Sequence, residues 1–363
     1  MKHHFLILVL TVMPSTGNAV NGQTEQTQAA SSRVVSPGDR PDEKPIGYPN
    51  WKTRTLNGQQ FWTDIRNVSG WRVQRNSETD HCRLLDPQGT RHAWGNGLHC
   101  QQMLDQMIAE GTAKQPSGKV IVVLHGLIRT KASMQPMADY LSSNTEFTSI
   151  NFQYASTRKK VGEHAFALKS MIDGFGPEVT EINFIGHSLG NIVVRRYLGD
   201  TSDQETGNQG DPRIKRFVML GPPNQGSRMA RILKSSFLFN TIAGVSGAEL
   251  SRSWDNLEPS LATPKFEFGI IAGGQRDDAR FSNFILKGKD DFTVSVAEAK
   301  LIGAHDFLVR PLLHSTMMHQ PEVLEASLSF FRNGYFVSPE ARSPLTAAPS
   351  ASASSNVSKE SKR

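Results

Sequence analysis

The chain has 363 residues, 37% of them hydrophobic and 20% charged, with a formal net charge of +6. That length suits one large domain with appendages or two small domains. Lysines and arginines are scattered apart from Arg158-Lys159-Lys160 and the tail, and no basic helix with interleaved aromatics appears. This argues against nucleic-acid binding, while a basic surface still suits peripheral contact with an anionic membrane or lipid surface.

The chain opens on Met1-Lys2-His3-His4, an apolar run over 5–13, and the small residues that end at Ala19. A basic start, a short apolar stretch and a plausible cut after Ala19 make residues 1–19 an expected signal peptide, hence a secreted or periplasmic protein. The apolar run is too short to span a bilayer, which takes about 20 residues. Residues 20–45, rich in Gln, Thr, Ser, Gly and Pro, are expected to be a disordered linker.

Residues 46–115 hold Trp51, Trp62, Trp71 and Trp94, four of the chain's five tryptophans. Strand-like stretches over 73–85, the turn Asp86-Pro87-Gln88-Gly89, a further strand over 91–94 and a helix over 101–110 make this an accessory β-rich segment. Cys82 and Cys100 are the only cysteines, and in an oxidising compartment they are expected to form one local disulfide. No C-x-x-C supports a zinc ribbon.

From residue 118 strands and helices alternate. Strands are expected over 119–124, 148–152, 181–185, 214–220, 266–272 and 307–309, and helices over 132–143, 162–175, 190–198 and 322–331. The run Lys119-Val120-Ile121-Val122-Val123-Leu124 is apolar and β-branched throughout, as a strand buried on both faces must be. The fold class is therefore α/β, a mostly parallel sheet over 116–337 covered by helices on both faces. An amphipathic to apolar stretch at about 227–263 breaks the alternation, as a lid, an acyl-binding cap or a packed insertion would. Residues 338–363 read as a low-complexity tail.

Gly186-His187-Ser188-Leu189-Gly190 is G-x-S-x-G at the junction of the 181–185 strand and the helix after it. A serine there is held in a sharp, strained turn, with its hydroxyl above the sheet edge. The glycines let strand and helix approach, and the helix N-terminus offers unpaired N–H groups. His125-Gly126-Leu127 directly follows the apolar strand. Backbone N–H groups of Leu127 and Leu189 are the candidate donors to a developing oxyanion. His125 itself reads as a structural histidine.

These motifs, with L-G-P-P-N-Q-G-S, D-D-F-T-V-S-V and L-L-H-S-T-M-M further on, resemble the α/β-hydrolase family, and within it bacterial lipases and esterases. The resemblance covers roughly residues 118–334. It implies a Ser, acid, His triad in that chain order, with no metal or cofactor. Of His305, His314 and His319, it selects His314, between the last strand and the last helix. Aligning the family's Asp-Gly-x-Val on Val294 ranks Asp291 first, then Asp290, then the pair Asp277-Asp278; here Phe292 stands where the family has Gly. The implied activity is ester hydrolysis through an acyl-enzyme on Ser188, acting on a lipid or small-molecule ester. Two alternatives stay open: an idle scaffold that binds lipid or protein, and a thioesterase, amidase or acyltransferase on the same triad.

Overall fold

The computed structural model describes residues 58–203, 205–226, 237–274 and 294–347, all within the unit Pro37–Arg363. The expected signal peptide and linker lie outside the described residues.

The first sheet is antiparallel, in the order β1 (Trp62–Val68), β2 (Trp71–Asn76), β3 (Cys82–Leu85) and β4 (Arg91–Gly95). Ile65, Val73, Leu84 and Ala93 line one face of it. They join Cys100 and Leu104 of α1 (Gly97–Ala109) in the same apolar cluster as Val120 and Val122 of the main sheet. The other face is polar. Gln74 donates to Asp64 at 2.7 Å and accepts from Arg83 at 2.8 and 3.0 Å, and the Arg83 guanidinium stacks 3.8 Å over Trp62. A buried polar row of this kind stands only because each member has a partner. Strand β1 was not expected from the sequence: its pairing is bulged between Asp64 and Arg66, which breaks the period-two pattern. Helix α1 starts four residues before the expected 101, because the Asn96 side chain caps it by accepting from His99 N–H at 2.8 Å.

Cys82 and Cys100 are both buried, as thiols rather than the expected disulfide. Each packs as a small apolar group, and the Cys82 S–H donates to the Asp80 carbonyl at 3.8 Å. Burial, with Cys82 nearby, pushes the Cys100 thiol up to about 12.

The main sheet contains β5 (Gly118–Leu124), β6 (Thr148–Phe152), β7 (Val179–His187), β8 (Ile214–Leu220), β9 (Glu267–Gly273) and β10 (Asp306–Arg310). Its order is β10-β9-β8-β7-β5-β6, and every neighbouring pair is parallel. Alternation along β5 feeds two cores: Val120, Val122 and Leu124 point to one face, Ile121 and Val123 to the other. On the first face lie α3 (Val161–Asp173) and α4 (Leu189–Asp200); on the second lie α2 (Gln135–Asn144) and α8 (Pro321–Asn333). Between β8 and β9 come α5 (Phe237–Arg252) and α6 (Trp254–Leu257), and α7 (Val296–Ala299) precedes β10. Fully buried aliphatics contribute about 1.5–3 kcal/mol each. Exposed pairs such as Lys169–Asp173 and Arg196–Asp200 give only about 0.3–0.5 kcal/mol, so the apolar layers carry the fold.

Residues 338–347, the described part of the expected tail, are tied to the body. Ser343 N–H donates to buried Asp306, and Leu345 exchanges backbone bonds with Gly303 and Ala304 at 2.7 and 2.9 Å. Leu345 also packs on the core. Among the described residues no helix is long and apolar enough to cross a membrane.

Candidate active site

Strand β7 ends on His187 and α4 begins on Leu189, so Ser188 alone makes the turn, at φ 53 and ψ −117. A non-glycine residue held there stores strain of about 1–3 kcal/mol. The surroundings over-determine it. Ser188 N–H donates to Leu220 O at 2.9 Å, at the end of β8, and Asn191 Nδ2 donates to the carbonyls of Ser188 and Leu220, both at 3.1 Å. The flanking glycines are required by contact: a Cβ on Gly190 would stand 2.8 Å from Leu124, and one on Gly186 2.6 Å from Asn191 Oδ1. Ser188 is half-buried and its hydroxyl makes no capping bond to α4.

The loop after β5 runs against this turn. A Cβ on Gly126 would lie 2.8 Å from His187 Nδ1 and 3.1 Å from Ser188 Cβ. Leu127 is next in the chain. Arg129 N–H closes the turn onto Gly126 O at 3.3 Å, with Ile128 at φ 60. His125 is fully buried and its ring stacks on Tyr154 at 4.2 Å. Its Nδ1–H donates to Gly126 O at 2.9 Å, because a carbonyl can only accept. Burial takes its imidazole down to about 4, so it is a neutral brace for the loop.

His314 lies between β10 and α8, as expected. Its ring sits over the end of β8: a Cβ on Gly221 would be 2.9 Å from His314 Nδ1. Gly221 directly follows Leu220, the acceptor of the Ser188 N–H. The other two histidines are elsewhere. His305 N–H bonds Phe268 O at 2.8 Å, at the far end of β9, and His319 is exposed. Asp277, Asp278, Asp290 and Asp291 lie outside the described residues.

Two residues that the sequence reading left without a role join the site. His187 is fully buried, and its Nε2–H donates to His314 O at 2.9 Å, with ring centroids 4.8 Å apart. Burial holds it well below the usual imidazole range, and the neighbouring His314 and Arg129 push the same way. Asn191 pins the serine turn as above. The His187–His314 and Asn191–Leu220 bonds join residues brought together by the sheet, so nothing local in the sequence announces them. The loop after β8 is fixed by Asn224, which accepts from buried Arg195 at 3.1 Å and donates to Ala299 O at 2.9 Å.

A parallel sheet in this order, with a serine at positive φ between β7 and α4 and a histidine loop after the last strand, is the α/β-hydrolase fold. Its solved structural neighbours include the Bacillus licheniformis lipase BlEst2 in mature form, at 15% identity and TM-score 0.41, over 60% of this chain and 91% of that one. They also include the Staphylococcus hyicus lipase, at 10% identity and TM-score 0.40, over 57% of this chain and 91% of that one. A third is the phospholipase PlaB from Legionella pneumophila, at 17% identity and TM-score 0.38, over 50% of this chain and 45% of that one. No family model and no curated protein matches the sequence.

Proposed function

We propose that this chain is an exported serine ester hydrolase of lipase or esterase type. His314 takes the proton of Ser188 as its hydroxyl attacks the ester carbonyl, and Asp291 orients the imidazole and balances its charge. Asp290 and Asp277 are the alternative acids. The amides of Leu127 and Leu189 stabilise the oxyanion. The alkoxide leaves with the proton from His314, and water activated by the same base releases the acyl group. Export rests on the sequence of residues 1–19.

The observation that carries this reading is the backbone of Ser188, held at φ 53 at the head of α4 beside Gly126 and the His314 loop. Unused strain at that position would be a pure loss, and a nucleophilic serine at such a strand-to-helix turn gives it a use. Ile128 and Leu313, which are 44% and 50% exposed on those two loops, suit a lipid-like or small acyl ester.

The test is labelling of the mature protein with a fluorophosphonate probe and hydrolysis of p-nitrophenyl esters of rising chain length. Ser188→Ala is expected to abolish both, by at least about 10³-fold in kcat. A folded wild-type protein that takes no label would leave the binding-scaffold reading in its place.

A further inference from the structure

Several cations on the described surface are paired. Arg66 meets Asp105, Lys119 meets Glu146, Arg213 meets Asp211, Arg216 meets Glu267 and Arg310 meets Glu322, at 2.6 to 3.5 Å. Arg129 and Arg158 are exposed, and among the described residues neither has a carboxylate within ion-pair distance. Both follow strand ends on the edge of the sheet that carries Ser188, Arg129 after β5 and Arg158 after β6.

Their placement is built. The Arg129 carbonyl accepts from Gln60 Nε2 at 3.0 Å and its N–H closes the Gly126 turn, so its backbone is held from both sides. Its guanidinium reaches across to the Ser315 carbonyl at 3.5 Å, next to His314, and so spans from one wall of the site to the other. Its charge is felt by buried His187, directly beside Ser188. The Arg158 guanidinium lies 4.4 Å from the ring of Phe61, the neighbour of Gln60. The two arginines therefore flank the turn Gln59–Phe61. The Arg129 fork beside the His314 loop, without a carboxylate partner among the described residues, suits a planar or tetrahedral oxyanion group, which an arginine binds through paired N–H donors.

We propose that Arg129, assisted by Arg158, selects esters that carry an anionic group, a carboxylate or a phosphate, on the part of the substrate near the scissile bond. This rests on the hydrolase reading above. Two matched substrate pairs separate the sources of the anion. One is p-nitrophenyl hydrogen glutarate against p-nitrophenyl valerate. The other is a monoacylglycerol phosphate against the same monoacylglycerol.

The readout is the ratio of kcat/KM for the anionic member to that for the neutral member. In the wild type the ratio is expected to exceed unity in at least one pair and to fall as salt rises, since exposed charges are screened over about 10 Å at 0.1 M. Arg129→Glu is expected to lower that ratio at least tenfold. Arg129→Lys, which keeps the charge but not the fork, is expected to fall between. Arg158→Ala is expected to lower it by less than Arg129→Glu. A wild-type ratio at or below unity in both pairs, or a ratio unmoved by Arg129→Glu, overturns this inference alone. No turnover of any of the four esters, with Ser188 unlabelled by fluorophosphonate, overturns the hydrolase reading and this inference with it.

Discussion

His187 shows how much a single position carries here. It fills the variable place of G-x-S-x-G, yet its ring touches all three parts of the site: it follows β7, it abuts Gly126, and it donates to His314 O. Its Nδ1 has no hydrogen-bond partner among the described residues, as expected of a neutral ring whose one proton is spent on His314. It acts through its neighbours, as a positioning residue. His187→Ala is expected to lower kcat about 10- to 100-fold, or ~1.4–2.8 kcal/mol, with KM little changed. The pH profile of kcat should shift as the His314 loop loses its tether. Unchanged kcat and pH profile in a folded variant would remove that role. The serine turn and its glycines were legible because their requirements are local. His187 and Asn191 were not, because their partners lie up to 127 residues away.

At the scale of elements, α5 falls in the stretch expected to be a cap. It is helical on both sides of Gly244, which sits at φ 61 and ψ −150. Beyond that kink it is stitched to the connection between β6 and α3. Val245 N–H bonds Thr157 O at 2.9 Å, Ser246 Oγ donates to Lys159 O at 2.7 Å, and Glu249 accepts from Val161 N–H at 2.7 Å. With its own proton so used, Ser246 accepts from His164 Nε2–H at 3.1 Å. A Cβ on Gly244 would stand 1.9 Å from Thr157 O, a separation no packing tolerates. Gly244→Ala is therefore expected to cost about 2–4 kcal/mol, through the collision and the left-handed backbone together. Denaturant unfolding followed by tryptophan fluorescence measures it, and a loss under ~0.5 kcal/mol would show that the kink is not a close contact in solution. The helix itself was expected only as a break in alternation. Its kink answers a backbone approach from another loop, which no pattern within 227–263 encodes.

For the molecule as a whole, acid is the expected weakness. Burial takes His125 down to about 4 and His164 to about 3, from an ordinary value of 6.5, and holds His187 low as well. A histidine whose folded value is depressed stabilises the fold fully above its unfolded value. That contribution is lost as pH falls from 6.5 through the folded value. For His125 the sum is on the order of 3 kcal/mol. Asp64 and Glu249, raised by burial, act in the opposite sense as they protonate. Melting temperature should therefore drop steeply between about pH 6.5 and pH 4, and less steeply in His164→Gln. Equal melting temperatures at the two ends of that range would contradict the buried, neutral state of these rings.

What the residues alone determined was the alternation of strand and helix, because period and β-branched content act within a few neighbours. The strands expected over 148–152 and 214–220 agree with β6 and β8 to the residue. They also determined where a serine could be forced into a turn, since Gly186 and Gly190 announce it. Only the tertiary structure decided that the His187 ring is tied to the His314 loop, that Cys82 and Cys100 pack as thiols, and that residues 338–347 return to the body. Those outcomes depend on which distant segments share one side of the sheet, and short-range chemistry carries no record of that.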